Sequence, residues 1–115
     1  MDLYQQFIHK SRYARYLPEE KRRETWEETV DRYIAGVIEP HVGTGNITNE
    51  IRNAILRMDV MPSMRAMMTA GPALDRDHVA GYNCAYVPID DRKAFDKIMY
   101  ILLCGTGVGF SVARK

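Results

Sequence analysis

A chain of 115 residues, 46% of them hydrophobic, can bury one modest core, which excludes a multidomain assembly. Its 16 Lys and Arg balance 15 Asp and Glu for a formal net charge of +1, so it lacks the basic excess with which a dedicated nucleic-acid binder neutralises phosphates. The two cysteines, Cys84 and Cys104, form no CxxC pair and have no histidine spaced to complete a zinc site, which argues against bound metal and for reduced thiols in the cytoplasm.

From Asp2 to Tyr16, Leu3, Tyr4, Phe7 and Ile8 recur at helical spacing opposite Lys10, Arg12 and Arg15, which predicts a first helix. Pro18 followed by Glu19 and Glu20 suits a helix start, because proline there loses no needed hydrogen bond and acids favour the positive end of the dipole. A second helix is therefore predicted from Pro18 to about Val37. Its buried stripe is Trp26, Val30, Tyr33, Ile34 and Val37, and its outer face mixes Lys21, Arg22, Arg23, Glu24, Glu27, Glu28 and Asp31. The run Lys21-Arg22-Arg23 has acids close enough along the chain to pair with it, so it reads as a solvated face rather than a phosphate site. Pro40 to Gly45 breaks the pattern, and Asn46 or Thr48 is expected to cap a third helix burying Ile47, Ile51, Ile55 and Met58. Residues 1–60 thus form a helical region.

Residues 61–115 have a different character. Met61, Met64, Met67 and Met68 are expected to fill a core, since thioethers pack irregular gaps. Gly71-Pro72 through Gly81 reads as a polar connection able to act as a lid. Alternation of Tyr82, Cys84 and Tyr86 with Asn83, Ala85 and Val87 predicts a strand. Asp90 and Asp91 then open a fourth helix with Phe95, Ile98, Met99 and Leu102 on one face, and glycines stop it before a strand begun by Phe110, Val112 and Ala113. The apolar run Ile98 to Cys104 is far too short to span a membrane, and Met1 to Lys10 has no signal-peptide core, so no membrane partner is expected. The chain stops at Lys115 with an αβ pattern under way, an ending that reads as premature.

Chemistry concentrates in two places. The loop Gly105-Thr106-Gly107-Val108-Gly109 follows a helix and carries Phe at position 110, so it is neither a dinucleotide fingerprint nor a P-loop. It is either a plain helix-to-strand turn or a bare backbone surface whose amides and Thr106 hydroxyl donate to the oxygens of a nucleotide. Cys84 is either a small buried hydrophobe or a redox thiol, with no local base to activate it. Cys104 reads as core, and His9, His41 and His78 as ordinary surface or loop histidines.

Three segments in order, Met61-Pro62-Ser63-Met64-Arg65, Gly81-Tyr82-Asn83-Cys84-Ala85-Tyr86 and Cys104-Gly105-Thr106-Gly107-Val108-Gly109-Phe110, resemble the N-terminal part of a ribonucleotide reductase catalytic subunit. The nearest likeness is to the adenosylcobalamin-dependent, monomer-type (class II) ribonucleoside-triphosphate reductases often carried by bacteria and their phages. Ser11-Arg12-Tyr13-Ala14-Arg15-Tyr16 and Glu24-Thr25-Trp26-Glu27-Glu28-Thr29-Val30 resemble the same branch, so the likeness covers essentially the whole chain.

The resemblance implies an α+β fragment, in which the N-terminal helical region precedes the first strands and helix of a ten-stranded α/β barrel. It implies that Cys84 is one of a cysteine pair that supplies two electrons to the ribose 2′ carbon and becomes a disulfide. Ser63 matches a substrate-contacting hydroxyl, Thr106 and Gly107 match backbone contacts to the nucleotide, and Asn83 matches the variable position before the redox cysteine. The implied partners are a ribonucleoside di- or triphosphate, a thioredoxin-like or dithiol reductant, and the remaining reductase polypeptide, which would hold most of the adenosylcobalamin. The thiyl cysteine, the second redox cysteine, the catalytic asparagine and glutamate and the C-terminal shuttle cysteines would all lie beyond Lys115, and Cys104 matches none of them. The chain alone is therefore expected to be inactive. The rival reading is a small nonenzymatic helical protein-interaction module, which would close its own core, whereas a barrel fragment would leave Tyr86, Val87, Phe110 and Val112 unpaired.

Overall fold

The computed structural model describes residues 1–112, so Ala113 of the last anticipated strand lies outside the described residues. Asp2 opens helix α1 (Leu3–Ile8): its carboxylate accepts the Gln5 amide at 2.7 Å while the Gln5 side chain accepts the Asp2 amide at 2.9 Å. The helix widens into a π-helical stretch, His9–Tyr13, and stops at Ala14.

A second helix does not begin at Pro18. Tyr16–Leu17 (β1) and Arg22–Arg23 (β2) pair antiparallel, and the turn between them holds Lys21 at a left-handed φ of 52°, which interrupts any helix through it. Helix α2 (Trp26–Tyr33) starts instead at Thr25, whose hydroxyl accepts the Glu28 amide while the Glu28 carboxylate accepts the Thr25 amide at 2.7 Å. Arg22 grips Glu28 with both terminal nitrogens, at 2.8 and 2.7 Å, and also contacts Glu20. Of the basic run, Arg22 thus pairs with acids, across a strand-to-helix junction rather than along a helix face, while Arg23 donates to the Ala14 carbonyl at 2.8 Å.

Helix α2 passes through a π-helical stretch, Ile34–Ile38, into α3 (Glu39–Val42), which Gly43 ends at φ 79°. Helix α4 (Asn46–Leu56) is capped by neither Asn46 nor Thr48, because the Thr48 hydroxyl donates back to the Gly43 carbonyl at 2.6 Å. Helix α5 (Met64–Thr69), helix α6 (Pro72–Arg76) and a 3-10 turn (His78–Gly81) follow, so the segment read as a polar connection is largely helical. Strand β3 (Cys84–Pro88), helix α7 (Lys93–Leu103) and strand β4 (Gly107–Ser111) then form a β-α-β unit, the strands parallel with Cys84 opposite Gly107 and Pro88 opposite Ser111. Asp91 serves the start of α7 by accepting the Ala94 amide at 2.9 Å.

The core brings Val30, Tyr33 and Ile34 against Ile55, Met67 and Ala70, with Trp26, Val37 and Ile51 packed beside them. The α2 stripe therefore faces inward as its spacing predicts. Ile47 does not: it is exposed, as are Met61 and Met64, and only Met67 of the methionines after Val60 is fully buried. The π-helical stretch Ile34–Ile38 approaches the α5–α6 junction so closely that a Cβ on Gly36 would stand 2.9 Å from the Gly71 backbone nitrogen. Helix propensity alone favours Gly36→Ala by about 1 kcal/mol, but backbone cannot yield as a side chain would, and overpacking costs about 1–3 kcal/mol. Gly36→Ala is accordingly expected to lower the urea midpoint with an unchanged slope, and a raised midpoint would contradict this contact.

Polar groups tie the same elements together. Glu24 is 4% exposed, and its carboxylate accepts Arg32 through both oxygens at 2.8 Å, the Arg15 amide at 3.0 Å and the Thr29 hydroxyl at 3.1 Å. Since Thr29 spends its one hydrogen on Glu24, its oxygen accepts from His9 Nε2 at 2.8 Å, which fixes the histidine tautomer. His9 is buried, edge-on to Trp26, rather than an exposed histidine. Arg32 also donates to the carbonyls of Met67 at 2.7 Å and Ala70 at 3.0 Å, joining α2 to α5.

The described strands form two separate two-stranded sheets, and the architecture is α+β, without barrel closure among these residues. The radius of gyration of 17.4 Å exceeds the about 13 Å of a compact chain near this length. An accessible surface of 8272 Å² likewise exceeds the about 6,400 Å² expected for a monomer of this mass. Large apolar side chains are exposed both on α1, at Leu3, Tyr4 and Phe7, and on the β-α-β unit. Phe95, Met99 and Leu102 on α7 are exposed where their spacing predicts a buried face, because no described element covers them. No helix among the described residues is long and apolar enough to cross a membrane.

Candidate functional site

The N-terminal ends of β3 and β4 bring Asn83-Cys84 beside Gly105-Thr106-Gly107. The Gly107 amide donates to the Asn83 carbonyl at 3.0 Å, and Cys84 then sits directly opposite Gly107 in the ladder. Side chains on a strand alternate between faces, so Cys84 and Tyr86 share one open face while Ala85 and Val87 occupy the half-buried other. Across the ladder from Cys84 and Tyr86 stand Gly107 and Gly109, which contribute bare backbone. A Cβ on Gly107 would come within 3.9 Å of the Cys84 sulfur, and one on Gly109 within 3.7 Å of the Tyr86 ring. The result is an exposed free thiol beside a floor without side chains, open to close approach by a ligand.

Helix α5 adds the third side. Arg65 Nε donates to Asn83 Oδ1 at 3.4 Å, and its Nη1 would lie 3.6 Å from a Cβ on Gly105. Ser63, at the start of α5, is exposed; its carbonyl accepts the Met67 amide at 3.0 Å and its side chain makes no cap. Arg65 is a site residue that motif spacing alone does not reveal. It closes the segment Met61-Pro62-Ser63-Met64-Arg65, and the signal that could have found it is a cation beside a motif otherwise free of charge.

Thr106 is placed differently from the ligand donor its hydroxyl suggested. It is 1% exposed, and the hydroxyl is shared between the Val79 carbonyl at 2.7 Å and the Tyr82 carbonyl at 3.1 Å. Its amide donates to Ile101 at 3.2 Å, and the Gly105 amide to Leu102 at 2.9 Å. The amides of Gly105, Thr106 and Gly107 are therefore all engaged inside the chain. Thr106 pins the loop to the turn that precedes β3.

A second brace fastens that turn. Asp77 accepts the Val79 amide at 2.9 Å through one oxygen, and through the other it accepts the Tyr100 hydroxyl and, at 3.8 Å, the Cys104 thiol. The Tyr100 bond and the Val79 amide hold the Asp77 carboxyl below the usual carboxylate range. The same Asp77 contact pushes the Tyr100 phenol up to about 12. Cys104 is half-buried within this brace rather than packed in an apolar core. Among the described residues no group of three or more His, Cys, Asp and Glu stands close enough to hold a metal ion. No protein-family model, curated protein or solved structure matches the chain.

Proposed function

We propose that the chain is the N-terminal portion of a ribonucleotide reductase catalytic subunit and supplies one redox thiol and part of the substrate floor. The observation that carries the reading is the exposed Cys84 thiol lying across the ladder from the bare backbone of Gly107, flanked by Asn83 and Arg65. In the proposed step the Cys84 thiol and a partner thiol from the remaining polypeptide give up two electrons and two protons as their disulfide forms. The ribose loses its 2′ oxygen as water and gains hydrogen at the 2′ carbon. Glycines allow the sugar to lie close to the sulfur, and Ser63 and Asn83 offer polar contacts at its rim. Thr106 contributes by holding the loop in place.

Adenosylcobalamin, which the resemblance implies, supplies the initiating radical when bound, and none of the residues gathered here is assigned to holding it. The reading places the chain in the cytoplasm, with a ribonucleoside di- or triphosphate as substrate and a thioredoxin-like or other dithiol as reductant. The exposed Tyr86, Phe110 and Val112 and the open α7 face support a further ten-stranded barrel built with the remaining polypeptide, since parallel sheets are stable only when both faces are covered.

The test is reconstitution. Ribonucleotide, dithiol and adenosylcobalamin incubated with the chain alone should give no deoxyribonucleotide, and addition of the remaining reductase polypeptide should give turnover together with new hydrogen-exchange protection across β3, α7 and β4. Cooperative protection of those elements in the isolated chain, with no gain on mixing, would favour the nonenzymatic module.

A further inference from the structure

We infer that Arg65 is the anion-recognition residue of the Cys84 site, presenting its two terminal nitrogens to an oxyanion on the molecule that Cys84 acts on. The argument is one of unspent donors. The other half-buried arginines are all committed: Arg22 to Glu28, Arg32 to Glu24, Arg52 to Asp31 at 2.5 Å, and Arg15 to the Met68 carbonyl at 3.1 Å. Among the described residues the Arg65 guanidinium has no carboxylate partner, and the one hydrogen bond it makes, to Asn83, uses Nε at the long limit of 3.4 Å. That bond aims the guanidinium across the glycine loop, with Nη1 over Gly105.

A guanidinium without a carboxylate partner keeps its terminal donors free for a bound anion. The loop amides cannot serve as the anion's donors, because they bond within the chain. Recognition therefore falls to the guanidinium, whose planar fork matches phosphate and carboxylate oxygens in a bidentate arrangement. The bare Gly105 and Gly107 leave the space such a group needs beside the thiol. The assignment rests on the reading of Cys84 as the reacting thiol of this site.

Thiol kinetics on the full chain test it without turnover. In a Cys104→Ser background, Cys84 is reacted with the dianionic disulfide dithiobis(nitrobenzoate) and, separately, with the neutral dithiodipyridine; in each case the thiolate attacks one sulfur and the other half leaves as a thiolate or thione. Arg65→Gln is expected to lower the ratio of anionic to neutral rates by about tenfold, and Arg65→Lys to retain part of it. The neutral rate reports whether the fold around Cys84 survives. At matched ionic strength, protection of Cys84 by pyrophosphate rather than malonate assigns a phosphate ligand, the reverse a carboxylate, and either should vanish in Arg65→Gln. An unchanged rate ratio in Arg65→Gln, or protection that persists in it, overturns the inference. An unchanged rate ratio in Arg65→Gln with Cys84 still essential to turnover would sink the Arg65 assignment alone, and an Arg65-dependent ratio with Cys84 dispensable would sink only the reductase reading.

Discussion

Glu24→Ala should destabilise the chain by about 3–5 kcal/mol, the cost of stranding a buried charge whose partner has been removed. That is a large share of the total stability of a domain this size. The Arg32 side chain is only 14% exposed, and the substitution leaves it, the Arg15 amide and the Thr29 hydroxyl without their acceptor. Arg32 would still reach the Met67 and Ala70 carbonyls, so the loss falls on the junction of α1, the β1–β2 hairpin and α2. Equilibrium urea unfolding checks the figure. A loss below about 1 kcal/mol, the range of solvated surface pairs, would mean that the network is open to water.

The same network sets an acid response with a definite sign. Desolvation, the largest influence on Glu24, would raise its pKa, but the Arg32, Arg15 and Thr29 hydrogen bonds together hold it below its ordinary 4.5. Its contribution is complete above that value and is lost as pH falls through the lower folded pKa. His9 is depressed from 6.5, first by burial and then by Lys10, so the unfolded chain takes up the proton before the folded one does. Stability should therefore begin to decline as pH drops below about 6.5, with a further decline in the carboxylate range. His9→Gln should flatten the upper part of that profile and leave the lower part in place.

The second large effect concerns activity. In the reconstituted enzyme with its dithiol reductant, Cys84→Ser should reduce turnover on the order of a thousandfold or more while leaving substrate affinity nearly unchanged, because the hydroxyl fills the space of the thiol but cannot give up electrons. Cys104→Ser is the natural control. Its thiol faces Asp77 rather than the open floor, so activity should be largely retained, with any cost appearing in stability.

How far the sequence carries the structure depends on distance along the chain. The α2 stripe was legible because Trp26, Val30, Tyr33, Ile34 and Val37 encode it locally, and the β3–α7–β4 order was legible from alternation, spacing and glycines. The false helix start at Pro18 came from weighing proline and two acids above Thr25-x-x-Glu28, a reciprocal cap that is equally visible in the letters. His9 could not be read at all, since its burial depends on Thr29 and Trp26, which only the hairpin brings to it. The exposed side chains of Leu3, Tyr4, Phe7, Phe95 and Met99 mark the opposite limit: periodicity identifies an apolar face but not whether any element in the same chain will cover it.

At the site, the convergence of Asn83, Cys84 and Gly107 follows from the parallel register, which the order strand, helix, strand already suggests. The roles of Thr106 and Arg65 do not follow from it. Thr106 turns inward onto the Val79 and Tyr82 carbonyls, and Arg65 reaches the loop only through the placement of α5.

The most direct measurement is the oxidation state of Cys84 across one turnover. The reconstituted enzyme, fully reduced and freed of dithiol, is given ribonucleotide and its cofactor, quenched with an alkylating agent and digested for mass spectrometry. The account predicts that the peptide containing Cys84 is recovered in a disulfide in step with the deoxyribonucleotide formed, while Cys104 remains alkylated. Product formed in full with Cys84 still alkylated as a free thiol would contradict it.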